Sequence, residues 1–280
     1  MAFLLAAWAA LFYGFADFCG GYAARRSPLL SVLVLSQAVG TLVALASAAA
    51  MPWGAPSTRD LLWGSLAGAT GALGLFVLYG GLARSIVAIV SPASAVVAAL
   101  LPVVSGLLLG ERPPAPAVAG AVLCFPAILL LTWEGDRSAR RGKAARTALG
   151  YGVLAGLGFG CFFIALSRTH AQAGAWPLVA ARAASLTVCG AALLASRQPF
   201  RLARPDLFPA LAAGAGDMVA NVFFLLAAHG GMLSLVAVIA SLYPAPTVIL
   251  AWIFQHQRIP PIRLAGLALA LTGVALISLR

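Results

Sequence analysis

The sequence predicts an all-α polytopic membrane protein: ten transmembrane helices, arranged as two inverted five-helix repeats around a central cavity. Three observations carry this. Of 280 residues, 62% are hydrophobic and 9% charged, with mean hydropathy +1.00, whereas soluble domains carry about a quarter charged residues. The apolar residues fall into runs about twenty long, the length that crosses a bilayer core of about 30 Å. Finally, a constant offset of 146 residues relates the two halves of the chain without a gap.

Breaks at proline, glycine and charge clusters divide the chain into spans at 3–23, 29–50, 61–82, 86–109, 115–133, 148–168, 176–196, 207–228, 232–254 and 262–279. The first lacks a basic leader and is followed by Arg25 and Arg26, so it reads as a retained span rather than a cleaved signal peptide. Spans three and eight open on Asp60-Leu61 and Asp206-Leu207, a matched pair. Between spans four and five stands LLLGERPPAPAVAG (107–120), and between nine and ten IFQHQRIPPIRLAG (253–266). Here Arg112 pairs with Arg258, Pro114 with Pro260, Ala119 with Ala265 and Gly120 with Gly266, while Glu111 faces Gln257. The charged linker EGDRSARRGKAAR (134–146) separates spans five and six. The expected organisation is therefore a first repeat at 1–133, a basic linker at 134–147 and a second repeat at 148–280. Five spans per half is an odd number, so the second repeat sits upside down relative to the first, a recurrent transporter architecture with its site near the midplane.

Net charge is +11, but the basic residues lie in short loops between spans, which points to membrane topology rather than to nucleic acid. Loops after odd-numbered spans hold thirteen Lys and Arg, the other side four. Positive residues mark the cytoplasmic side, which places both termini outside. Cys19, Cys124, Cys161 and Cys189 all lie in apolar runs without metal-ligand spacing and read as small hydrophobes. No Walker motif, nucleophile elbow or metal-ligand pair occurs, and GATGALG at 68–74 is not GxGxxG. Neither a cofactor nor a metal is expected, and the oligomeric state is left open.

Ionisable side chains inside a bilayer are costly and usually face a bundle interior or wet cavity. Asp17, Arg182 and Asp217 are the three such residues; their counterparts at the offset are Phe163, Ser36 and Gly71. Asp217 lies near the midplane, and Asn221 at i+4 shares its face, giving a carboxylate–amide pair able to touch an amine or carry a proton. Asp17 shares a face with Tyr13. Arg182 either snorkels to the interface, pairs with Asp217 across an axial gap of about 7 Å, or binds an anionic substrate group. Gln37, beside Ser36, is a further cavity candidate. Tyr13, Tyr79 and Tyr243 are candidates to stack on an organic substrate, and the tryptophans read as anchors or packing. Pro244 and Pro246 mark a candidate hinge in span nine, since proline removes a backbone donor. Glu111, at a helix end, reads as a local cap.

Ten spans, the five-plus-five duplication, LLLGERPPAPAVAG closing span four and SLYPAPTVILAWIF in span nine together resemble the EamA-type drug/metabolite transporter superfamily over essentially the whole chain. The resemblance implies a ten-helix bundle around a central cavity that moves metabolites, amino acids or drugs, often outward and without ATP. It also implies cytoplasmic termini, opposite to the charge count, and a Gly-Glu at the end of span nine where this chain has His256-Gln257. The expected function is secondary transport, as an exporter, of a small organic metabolite, an amino acid or related compound or a drug-like one, by alternating access, with proton coupling or exchange, in a bacterial inner membrane. The expected partners are the small-molecule substrate and the lipid bilayer. The alternatives are an integral-membrane enzyme acting on lipid, or a non-transporting receptor or assembly factor whose centre would be closed and packed.

Overall fold

The computed structural model describes residues 1–50, 54–84, 87–133, 143–255 and 260–279. His256, Gln257, Arg258 and most of the linker lie outside the described residues, as does the side chain of Tyr79. The helices are α1 (Ala2–Ala24), α2 (Leu29–Ala49), α3 (Thr58–Arg84), α4 (Val87–Leu108), α5 (Ala115–Leu131), α6 (Lys143–Ser167), α7 (Trp176–Ser196), α8 (Arg204–Gly230), α9 (Leu233–Ala240), α10 (Pro244–Gln255) and α11 (Pro261–Ser278). No strand occurs among the described residues. By length and composition eight stretches among the described residues can cross a membrane, 233–255 counted as one, beside two shorter apolar helices.

Span nine is not one helix. It breaks at Ser241–Tyr243 and resumes at Pro244 as α10, because Pro244 and Pro246 withdraw two nearby backbone donors at the start of a turn. Pro92 and Pro102 remain inside a continuous α4. Helix α6 starts within the predicted linker, at Lys143, where Lys-Ala-Ala-Arg favours helix.

Helix packing follows the duplication. Helix α1 packs on α8, and its equivalent α6 on α3; α3 packs on α7, and α8 on α2; α4 packs on α6, and α9 and α10 on α1. Helix α5 packs on its own equivalent, α11. At that last contact a Cβ on Gly120 would collide with Gly273 and meet Ile277 N at 2.9 Å, and one on Gly266 would meet Leu131 N at 2.9 Å. The start of each helix therefore lies on the end of the other: equivalent helices run antiparallel, which is the geometry of an inverted repeat. Gly68 and Gly214, matched by the offset, play the same part at α3–α7 and α2–α8, where a Cβ would strike the carbonyls of Ala181 and Ser36. Small residues that let backbones approach are the usual source of helix association in lipid, where no hydrophobic force separates helix from tail.

The two matched aspartates close opposite faces. On the face carrying the chain's N-terminus, which has few basic residues, Asp60 accepts from Ser57 N–H (3.0 Å) and Ser57 Oγ (2.6 Å) and from His170 N–H (2.8 Å) in the α6–α7 loop. Its contact with Ser57, whose Oγ accepts Asp60 N–H (3.2 Å), is a capping-box arrangement. On the basic face, Asp206 accepts from Ser27 Oγ (2.8 Å) in the α1–α2 loop, and that hydroxyl accepts Ala203 N–H (3.0 Å). Each half thus supplies an acid that ties down a loop of the other.

Glu111 corrects the expectation of a local cap. Its carboxylate accepts Leu233 N–H (2.6 Å) and Ser234 N–H (2.9 Å), the first turn of α9 in the other half. The two described histidines also have partners: His170 Nδ1 lies 3.0 Å from Asp60 Oδ1, and His229 Nε2 lies 3.1 Å from Thr169 Oγ1.

Candidate functional site: a polar cavity between the halves

Between the two halves lies a cavity of about 170 Å³. One chain of hydrogen bonds runs along it through α1, α8, α7 and α2. Tyr13 OH donates to Asn221 Oδ1 (2.8 Å). Asn221 Nδ2 donates to Asp217 Oδ2 (3.2 Å) and, tightening its own turn, to Asp217 O (2.7 Å). Arg182 Nη2 forms an ion pair with Asp217 Oδ2, Arg182 Nη1 donates to Gln37 Oε1 (2.6 Å), and Ser185 Oγ donates to the same oxygen (3.0 Å). Arg182 Nε points at Met218 Sδ (3.3 Å).

Arg182 is therefore buried in the bundle rather than snorkelled: its side chain is 9% exposed, against 37% for Asp217. A lone guanidinium in that position would be strongly destabilising, and pairing with hydrogen bonds to its remaining nitrogens is what makes such burial tolerable. Arg182 reaches its site because Gly40 on α2 leaves room for it; a Cβ there would sit 3.2 Å from Arg182 Nε.

Seven of the eight predicted site residues line the cavity: Tyr13, Asp17, Gln37, Arg182, Asp217, Asn221 and Tyr243. Tyr79 is on α3, but its side chain is not described. Asp17 is exposed to the cavity and makes no hydrogen bond to Tyr13. Tyr243 sits at the α9–α10 break, directly ahead of Pro244, and α1 is held against this break by Thr247 Oγ1, which donates to Gly14 O (3.1 Å).

Sequence reasoning missed Ser185, Met218 and three phenylalanines of α6. Ser185 lies one turn from Arg182 and was findable on that ground. Phe159 and Phe163 were findable from the offset, being the counterparts of Tyr13 and Asp17, and both line the cavity. The same holds for Gly71 and Leu75, the counterparts of Asp217 and Asn221. Equivalent positions thus face the same space, polar on α1 and α8, apolar on α6 and α3. The result is a cavity with one polar and one apolar wall. Phe163 turns its edge toward Tyr13 (centroids 6.2 Å apart) and packs on Phe224 (4.4 Å).

Among the polar lining residues Asn221, Ser185, Arg182 and Gln37 are buried, whereas Asp17 is exposed.

Fold and site together define an integral, multi-pass membrane protein whose helices enclose a charge-bearing cavity. Residues 173–279 match the model of the EamA-like transporter family, a family of transporters rather than enzymes. No curated protein matches the chain. Among solved structures, one described as "Crystal structure of protein" superimposes with a TM-score of 0.82 at 17% identity, covering 99% of this chain and 98% of that one; at that identity the likeness is one of fold.

Proposed function

We propose that the chain is a secondary transporter that moves a small organic metabolite, an amino acid or related compound, by alternating access. The observation that carries this reading is the ion pair of Arg182 and Asp217 set in the wall of an internal cavity between the halves. A receptor or assembly factor would have a packed centre, with these residues turned to lipid-side neighbours. Midplane sites at a repeat interface, next to an interrupted helix, are the common plan of secondary transporters, and the α9–α10 break beside Tyr243 fits that plan. The division into repeats at 1–133 and 148–280, with 134–147 as linker, gives the two bodies that rock against each other, and Pro244 and Pro246 sit where bending between them would fall.

Transport is outward and coupled to protons or to exchange, and the setting is a bacterial inner membrane. Asp217, partly exposed, is the group placed to exchange a proton with the cavity. No nucleic acid or cofactor enters the cycle, and substrate and lipid are its partners. The test is uptake into proteoliposomes of the purified full chain across an amino-acid and amine panel, with and without an imposed pH gradient. Gradient-dependent accumulation of at least one compound is the expected result, and none with correctly inserted protein overturns the proposal.

A further inference from the structure

Resting on the transporter reading, we infer that the cavity selects substrates by a cationic amine, with Asp17 as the residue that recognises it, and excludes anions. Charge accounting along the walls leads there. The described lining holds two carboxylates, Asp17 and Asp217, and one guanidinium, Arg182, a net of one negative charge. Arg182, the group that would attract an anion, already has a partner at each of its three nitrogens: Met218 Sδ, Gln37 Oε1 and the Asp217 carboxylate. What is left open toward the cavity is acceptor capacity. Asp17 makes no hydrogen bond or ion pair among the described residues, and Asp217 Oδ1 receives none, its two donors both going to Oδ2.

A carboxylate on a cavity wall without a protein donor keeps its acceptor capacity for a ligand, and an ammonium group supplies both the charge and the hydrogen bonds to fill it. The position of Asp17 suits the task. It is the exposed carboxylate of the lining, on the same face of α1 as Tyr13, and unlike Asp217 it is not committed to a cation. The rest of the substrate is set by the opposite wall, where Phe159, Phe162, Phe163, Leu75 and Leu78 offer only apolar surface and aromatic faces that also attract cations. The two-sided cavity is thus complementary to an amphipathic amine: a positive head toward α1 and α8, an aromatic or branched apolar body toward α3 and α6. A zwitterion is admitted less well, since its carboxylate finds no uncommitted cation.

Three compounds of one shape and different charge test this: phenethylamine, phenylalanine and 3-phenylpropionate. Equilibrium binding of radiolabelled phenethylamine to the purified full chain in nanodiscs, with the other two as competitors, is measured first on the unaltered protein. Phenethylamine is expected to bind at least about tenfold more tightly than phenylalanine, with 3-phenylpropionate failing to compete, since one charged hydrogen bond is worth about ten- to a hundredfold. Asp17→Asn is expected to lose that preference, and Asp17→Glu to keep most of it. Tighter binding of 3-phenylpropionate, the absence of phenethylamine binding, or an undiminished preference in a folded Asp17→Asn protein overturns the inference. Amine binding without transport in liposomes leaves the amine site standing and removes the transporter reading; transport of other compounds without amine binding does the reverse.

Discussion

Glu111 is predicted to hold shut the start of a helix that belongs to the other half of the chain, and its removal should loosen that helix without touching the cavity. Helix α9 is eight residues long, wholly buried, and has no side-chain cap of its own at Met232. Ser234 Oγ is buried without a partner, so it does not cap either. Glu111 therefore supplies the side-chain acceptor for two of the first-turn N–H groups. A hydrogen bond to a charged group contributes about 1.5–3 kcal/mol, and a carboxylate at a helix N-terminus adds about 0.3–1 kcal/mol. Because Glu111 is half-buried, the low end applies: about 3 kcal/mol for both bonds in Glu111→Ala, a factor of roughly 10² in local opening. Glu111→Gln keeps one carbonyl acceptor and sets an amide donor against the other N–H, so about half of that loss is expected. Hydrogen–deuterium exchange of the 232–241 segment in nanodiscs reads this directly, with α11 as an internal reference. Exchange in Glu111→Ala within twofold of the unaltered protein would refute the cap. So would loss of transport in Glu111→Gln with α9 protection unchanged, because the carboxylate would then be acting on substrate or proton rather than on a helix end.

Asp217→Asn is expected to abolish gradient-driven transport and, by leaving the buried Arg182 without its counter-charge, to lower thermal stability as well; undiminished proton-coupled transport would remove Asp217 from the coupling step. Arg182→Met should lower thermal stability more than Arg182→Met combined with Asp217→Asn, by about 1–2 kcal/mol, since only the single change strands a charge; a double variant no more stable than the single one, by thermal unfolding in detergent, contradicts the pairing. Gly68→Ala and Gly214→Ala, each driving a methyl into a backbone carbonyl of the facing helix, are expected to cost about 1–3 kcal/mol or more, whereas Gly190→Ala, with nothing within 4 Å, should be neutral; monodisperse yield in size-exclusion chromatography checks all three. Reporter cysteines placed in loops 110–116 and 134–146 should be labelled from opposite sides, the second from the cytoplasm if the charge count sets topology.

The spans were legible because hydropathy and run length are properties of local sequence, and the membrane turns them into helices with little choice. The break in span nine was legible only as a candidate. Prolines occur in α4 and α5 too, and what distinguishes Pro244 and Pro246 is their pairing beside Tyr243, against the close approach of Gly14. The cavity residues were found one by one, as costly polar groups in apolar runs. Their connections were not legible, since Gln37 and Arg182 are far apart in sequence and nothing local says that α2 meets α7. Nor did local sequence reveal that His170 and His229 have partners in loops and helices of distant sequence.

The offset held more of this than any single residue did. In an inverted repeat, helices near the two-fold meet their own equivalents, so α2 must lie near α7 and α5 near α11 once the halves are aligned. Ser36 and Arg182 are equivalents, which places Gln37, the neighbour of one, beside the other. The same relation predicts that a loop of one half closes on a helix start of the other: Asp60 on the α6–α7 loop, Asp206 on the α1–α2 loop, and Glu111 on the first turn of α9. Glu111 was misread as local because a helix end in isolation suggests its own cap, while the two-fold puts a different helix start within reach. Symmetry fixed where the contacts fall, and departures from symmetry give the cavity its chemistry. At the paired positions Tyr13/Phe159, Asp17/Phe163, Gly71/Asp217 and Leu75/Asn221 one copy is apolar and the other polar. Were both copies of each pair polar, both walls would carry charge and the apolar body of a substrate would have no surface to meet.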